Sequence, residues 1–78
     1  MNLYYAAHNG VYLEGFSSAF AYTPDEAEEL IEIMLEKHKE IEPDLDGRYD
    51  VRIYKVFPNV IEPLNTKPHA FLIWNGDY

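Results

Sequence analysis

Apolar residues run in short continuous or alternating stretches toward both ends of the chain and recur every third or fourth residue in the middle, so strands are expected to flank a helix. Residues 3–7 and 11–13 read as two strands around His8-Asn9-Gly10, the Asn-Gly pair being a strong signal for a tight hairpin turn. Gly15 interrupts the second run, which resumes as Phe16, Ser18, Phe20 and Tyr22 alternating with small residues. One long strand with a bulge or bend at Gly15 is expected there.

The middle segment opens with a helix start. Thr23 can serve as N-cap, Pro24 suits the first helical position, and Glu26 completes a capping box. Ala27, Leu30, Ile31, Met34, His38 and Ile41 then draw an apolar stripe down one side, with Leu30 and Met34 expected at its heart. Pro43 and Asp46-Gly47 stop the helix, which is expected over residues 24–41, about 27 Å long. A strand follows over 49–57, then an ordered irregular loop over 58–68 holding three prolines, and a last strand over 69–74 before a short tail. The order is β-β-α-β-β in one domain spanning residues 1–78. It defines an α+β fold with one helix packed on a four-stranded antiparallel or mixed sheet. A single helix covers one face of four strands, so the other face must be polar, self-associated or used for binding.

Charge sharpens this picture. Residues 25–46 hold ten acids against Lys37 and Lys39, whereas the remaining residues hold four acids and four bases, so the whole net charge of -8 sits on one stretch. An acidic chain lacks the clustered Lys and Arg that nucleic acid or an anionic membrane requires, and neither is expected as a direct partner. No run of about 18 apolar residues predicts a membrane span. The first residues lack a basic-then-apolar export pattern, and there is no cysteine, which fits a cytoplasmic chain.

Candidate chemistry is sparse. Ser17 and Ser18 lie in an alternating strand without a nucleophile motif or an evident base. The four glycines lie too far apart to cradle a phosphate. His8, His38 and His69 fall on a turn, a helix and a strand start without ligand spacing. Residues 42–47 place Glu42, Asp44, Asp46 and Gly47 at positions 1, 3, 5 and 6 of a calcium-type loop, but position 12 is Ile53, which cannot supply a bidentate carboxylate. No cofactor or metal is expected. The twelve aromatics (seven Tyr, four Phe and Trp74) with nearby Arg52 and Lys55 suit an open sheet face that contacts protein better than one that stacks bases.

The strongest anomaly is Glu28, Glu32, Glu36 and Glu40, spaced i,i+4 so that like charges line up and weaken the helix by a few tenths of a kcal/mol per pair. In length, acidity and one-helix-on-sheet plan, the chain resembles small acidic accessory proteins of phages and mobile elements, of the anti-CRISPR and anti-restriction type. That resemblance rests on the acidic stretch 25–46 and on overall length. It implies a stoichiometric inhibitor that occupies the nucleic-acid site of a host protein. The leading expectation is a non-enzymatic protein-binding domain whose acidic helix docks on a basic protein surface through Glu28, Glu32, Glu36, Glu40, Asp44 and Asp46. The alternative is a small structural or ligand-binding domain that forms a homodimer through its open sheet face.

Overall fold

The computed structural model describes residues 1–60 and 67–77. Four strands, β1 (Asn2–His8), β2 (Gly15–Ala21), β3 (Arg52–Phe57) and β4 (His69–Trp74), surround one helix, α1 (Pro24–His38), in the order β-β-α-β-β. The strands form one antiparallel sheet in the order β3-β1-β2-β4, with α1 against one face. No helix among the described residues is long and apolar enough to cross a membrane. Six residues of the expected loop, 61–66, and Tyr78 of the tail lie outside the described residues.

The helix starts where its residue types dictate. Thr23 is extended (φ -136°, ψ 157°) and its hydroxyl oxygen accepts from the Glu26 N–H at 3.1 Å. The Glu26 carboxylate reaches back to the Tyr22 N–H at 2.8 Å, one residue before the position a capping box uses. The end differs from expectation. The helix stops at His38 rather than Ile41, because Lys39 adopts a left-handed conformation (φ 60°). That turn swings Ile41 into the core, where it is 1% exposed. The buried line is Ala27, Ile31 and Leu35, and Leu30 and Met34 only flank it. The expected stripe was therefore displaced around the helix, and His38 stands exposed.

The first hairpin also departs from expectation. No strand forms at 11–13, and Asn9-Gly10 is not a tight turn, since His8 already pairs with Gly15 and residues 9–14 make the connection. The tail claims that segment instead: Val11 N–H donates to Asn75 O (2.8 Å), and Leu13 and Tyr12 N–H donate to Gly76 O (2.8 and 3.2 Å). Gly15 opens β2 rather than bending a longer strand. Strand β3 begins at Arg52, not at residue 49, because Asp50 has a positive φ of 52° that breaks the extended run. Tyr49 ahead of it is buried in the core.

Two bulges decide which side chains share a face. On β3 the register jumps from Lys55 opposite Tyr5 to Ile53 opposite Ala6, leaving Tyr54 as the extra residue. On β4 it jumps from Leu72 opposite Ser17 to Trp74 opposite Phe16, leaving Ile73 extra. Residues directly opposite across antiparallel strands share a face. Each bulge therefore moves one large aromatic, Phe57 or Trp74, onto the face away from the helix, where plain alternation would have turned it toward the helix.

Candidate functional site

The acidic residues do not form a single stripe. Glu28, Glu32 and Glu36 run along α1, and Glu32 and Glu36 are exposed while Glu28 is half-buried. None of the three has an ion-pair partner among the described residues. Burial pushes the Tyr49 phenol above its ordinary range, and the charge of Glu36 acts in the same direction. Glu40 lies beyond the helix end, accepts from Asn75 Nδ2 at 3.1 Å and sits 3.8 Å from the His38 ring. Asp44 is occupied locally. Its carboxylate accepts from the Asp46 and Arg48 N–H groups (3.0 and 2.9 Å), closing the turn that follows the helix. Asp46 is exposed on that turn. Among the described residues no three His, Asp or Glu side chains gather in a metal-holding group.

A buried pair escaped the sequence reading. His8 Nε2 lies 2.6 Å from Ser17 Oγ, and both side chains are fully buried. His8 Nδ1 lies 2.7 Å from the Asn9 carbonyl, which can only accept, so Nδ1 carries the proton and Nε2 accepts from the serine hydroxyl. Gly15 makes room for the ring, since a Cβ there would come within 2.8 Å of His8 Cε1. This is the order of a nucleophile, a base and an orienting group. A polar cavity of about 380 Å³, lined by His8, Gly10, Glu14, Glu42 and Arg52 among others, reaches the histidine but not Ser17. The hydroxyl is sealed between sheet and core, where it satisfies the imidazole. The sequence signal was the hairpin register alone, which sets both side chains on one face of neighbouring strands.

Burial holds the His8 imidazole below its ordinary pKa of 6.5, and the nearby Arg52 charge acts in the same direction against the hydrogen bond to Asn9. The folded protein therefore binds this proton less readily than the unfolded chain. The His8 contribution to stability is full above about pH 6.5 and is lost as pH falls below it, at no more than about 1.4 kcal/mol per pH unit. Urea midpoints between about pH 7.5 and 5 are expected to fall more steeply for the native sequence than for His8→Gln. Parallel slopes would assign the acid sensitivity to other groups.

The most unusual surface is the sheet face opposite the helix. Under the helix, β1 and β2 place Tyr4, Ala6, Ser17, Ala19 and Ala21, mostly small, which lets α1 approach closely. Away from it they place Leu3, Tyr5, Phe16 and Phe20, the larger side chains, on the side that no described element covers. The edge strands extend that face with Tyr54, Phe57, Phe71 and Trp74. The rings form a connected surface. Tyr5 stacks on Tyr54 (6.5 Å between centroids) and meets Phe57 edge-on (5.6 Å). Phe16 meets Tyr54 edge-on and stacks on Trp74 (both 6.2 Å), and Phe20 touches His69 and Phe71 (5.3 and 6.2 Å). The outer rings remain open: Tyr54 is 60% exposed and Phe57, Phe71 and Trp74 are each 41% exposed. The charges here are few and lie along β3. Lys55 rests over the Phe57 ring at 5.2 Å, and Arg52 is paired with Glu14 and Asp50.

These features define a class: a small α+β domain with one helix on an antiparallel sheet whose other face is aromatic and, among the described residues, uncovered. Comparison of the chain with protein-family models, with curated proteins and with solved structures gives no match.

Proposed function

We propose that this chain is a non-enzymatic protein-binding domain that makes its principal contact through the bare aromatic sheet face. One observation carries the reading: the two central strands place Leu3, Tyr5, Phe16 and Phe20 on the face away from the helix, where the edge strands add exposed rings, while three alanines and a serine lie under the helix beside Tyr4 and His8. A monomer would gain stability from the reverse arrangement, because burying an aromatic ring under the helix removes it from water. Exposed contiguous apolar surface of this kind marks an interaction site, and Tyr, Phe, Trp and Arg are the residues interfaces favour. The sealed Ser17 hydroxyl supports the non-enzymatic part. The sole tryptophan, Trp74, lies in this face and reports on it directly. In dilute protein its fluorescence is expected to be quenched readily by acrylamide, and an apolar dye such as anilinonaphthalene sulfonate should bind and shield it. A Trp74 that is protected in protein sedimenting as a single chain would overturn the reading.

A second reading is favoured by the exposed, unpaired line of Glu32 and Glu36 on the opposite side of the molecule. In it the acidic side docks on a basic protein surface. With the class resemblance, that surface is a nucleic-acid site in the cytoplasm, and the chain is a phage-type inhibitor that covers it. Complementary charges of this kind speed association and weaken steeply with salt. Glu32→Lys with Glu36→Lys is expected to leave the melting temperature nearly unchanged, because exposed charges contribute little to stability. The same double variant should lose a partner recovered by pull-down from native lysate. Retention of that partner with unchanged salt dependence would reject the acidic side as the contact.

A further inference from the structure

We infer that the occupant of the aromatic face is a second copy of this chain, the two sheets stacking face to face with both acidic helices outward. The inference rests on the reading of that face as a contact surface and adds what covers it. Two features, the distribution of charge and the position of the cations, point to self-association, and the area of the face sets its strength.

Four strands about 4.8 Å apart and about 22 Å long give a face of roughly 400 Å² in flat projection, and rings standing off the sheet enlarge it. That is about half of the roughly 800 Å² that each partner contributes to a standard interface, so area limits the strength of association rather than arguing for it. A small, weak dimer is the expected result, with dissociation in the micromolar range.

The first feature is the distribution of charge. Two copies of a protein with a net charge of -8 repel, yet the whole excess lies on residues 25–46, on the helix and the turn beyond it. Face-to-face stacking places the sheets about 10 Å apart with a helix layer outside each. The six acids on each helix then stand roughly 30 Å from those of the other copy, several Debye lengths at physiological salt, and their repulsion is screened. Any dimer built through the helices would bring those acids together.

The second is the position of the few cations. Lys55 and Arg52 lie on β3, at one edge of the sheet, whereas His69, Phe71 and Trp74 occupy β4 at the other. A two-fold axis parallel to the strands lays the β3 edge of one copy over the β4 edge of the other. Lys55 then meets aromatic rings rather than its own counterpart, a favourable cation–ring contact. The two-fold interface is self-complementary in this register.

Sedimentation of the intact protein from about 1 to 200 µM tests the inference across the expected range. The mass is expected to rise from the 9.1 kDa of one chain toward twice that value, with Trp74 becoming protected from acrylamide at the same concentrations. Association should persist or strengthen as salt is added, since apolar burial drives it. Phe71→Glu should remain at the single-chain mass throughout and keep its circular dichroism spectrum. Tyr54→Lys, at the more exposed position, should do the same if Phe71→Glu fails to fold. A native protein that stays at 9.1 kDa up to the highest concentration with Trp74 still quenchable would overturn the second copy as occupant and leave the contact reading standing. A dimer that forms with Trp74 unprotected, or that both variants retain, would overturn the inference together with the face that it uses. Only a Trp74 already shielded in the single chain would remove the contact reading by itself.

Discussion

Ile31→Ala is expected to lower the melting temperature by at least about 10 °C, a cost of about 2–5 kcal/mol from the cavity left in the core. Ile31 is fully buried between Ala27 and Leu35 on the helix, against the alanine-lined side of the sheet. Small facing residues let the helix sit close, but they leave few atoms able to move into the space that a deleted side chain vacates. A domain of this size has about 5 kcal/mol in total, so the variant should be partly unfolded at ambient temperature. Leu30→Ala, one position away and only half-buried, should cost markedly less. Equal or reversed losses in a thermal melt would place the core on the wrong side of the helix.

Gly10→Ala is expected to be nearly as damaging, for a reason unrelated to backbone freedom. A Cβ on Gly10 would overlap the Leu13 carbonyl oxygen and come within 2.9 Å of that of Asn75, both backbone atoms. Relief requires residues 9–14 to change their own backbone path so that the Leu13 carbonyl moves, and that displaces the hydrogen bonds from Val11, Tyr12 and Leu13 to Asn75 and Gly76. At about 1 kcal/mol each, their loss amounts to roughly 2–3 kcal/mol, read as a lower urea midpoint. An unchanged midpoint would mean that the tail does not hold this connection in solution.

The same two regions explain how far the sequence alone could be read. The helix start was legible because Thr23, Pro24 and Glu26 act on each other within four residues. The last strand, His69–Trp74, was legible because apolar residues run unbroken from Ala70 to Trp74 between a proline and a turn. The helix end was not legible, because the left-handed turn at Lys39 serves Ile41, whose burial depends on contacts made elsewhere in the chain. The Asn9-Gly10 signal misled for the same reason: its segment bonds to a tail more than 60 residues further along.

The site was less legible than the fold. Sequence alternation gives one face per parity, and the extra residues Tyr54 and Ile73 change that parity midway along both edge strands. Phe57 and Trp74 therefore join Tyr5 and Phe16 on a face that no periodicity assigned to them. His8 and Ser17 met only because the hairpin register brought them within 2.6 Å. Of the acidic residues expected to act together, Glu28, Glu32 and Glu36 share the helix, while Glu40 follows its end and Asp44 closes a turn. What the charge pattern did convey is polarity. Six of the ten acids of residues 25–46 lie on the helix, which packs against the face opposite the aromatic one.

Isotope-filtered NMR on an equal mixture of labelled and unlabelled protein, at about 1 mM so that a micromolar dimer is nearly fully formed, addresses the central claim most directly. Contacts between copies are expected from the rings of Tyr5, Phe16, Phe71 and Trp74, with Lys55 of one copy near β4 of the other. Contacts between copies that arise from Glu32, Ile33 and Glu36 instead, or rings on the sheet face that show none at that concentration, would contradict it.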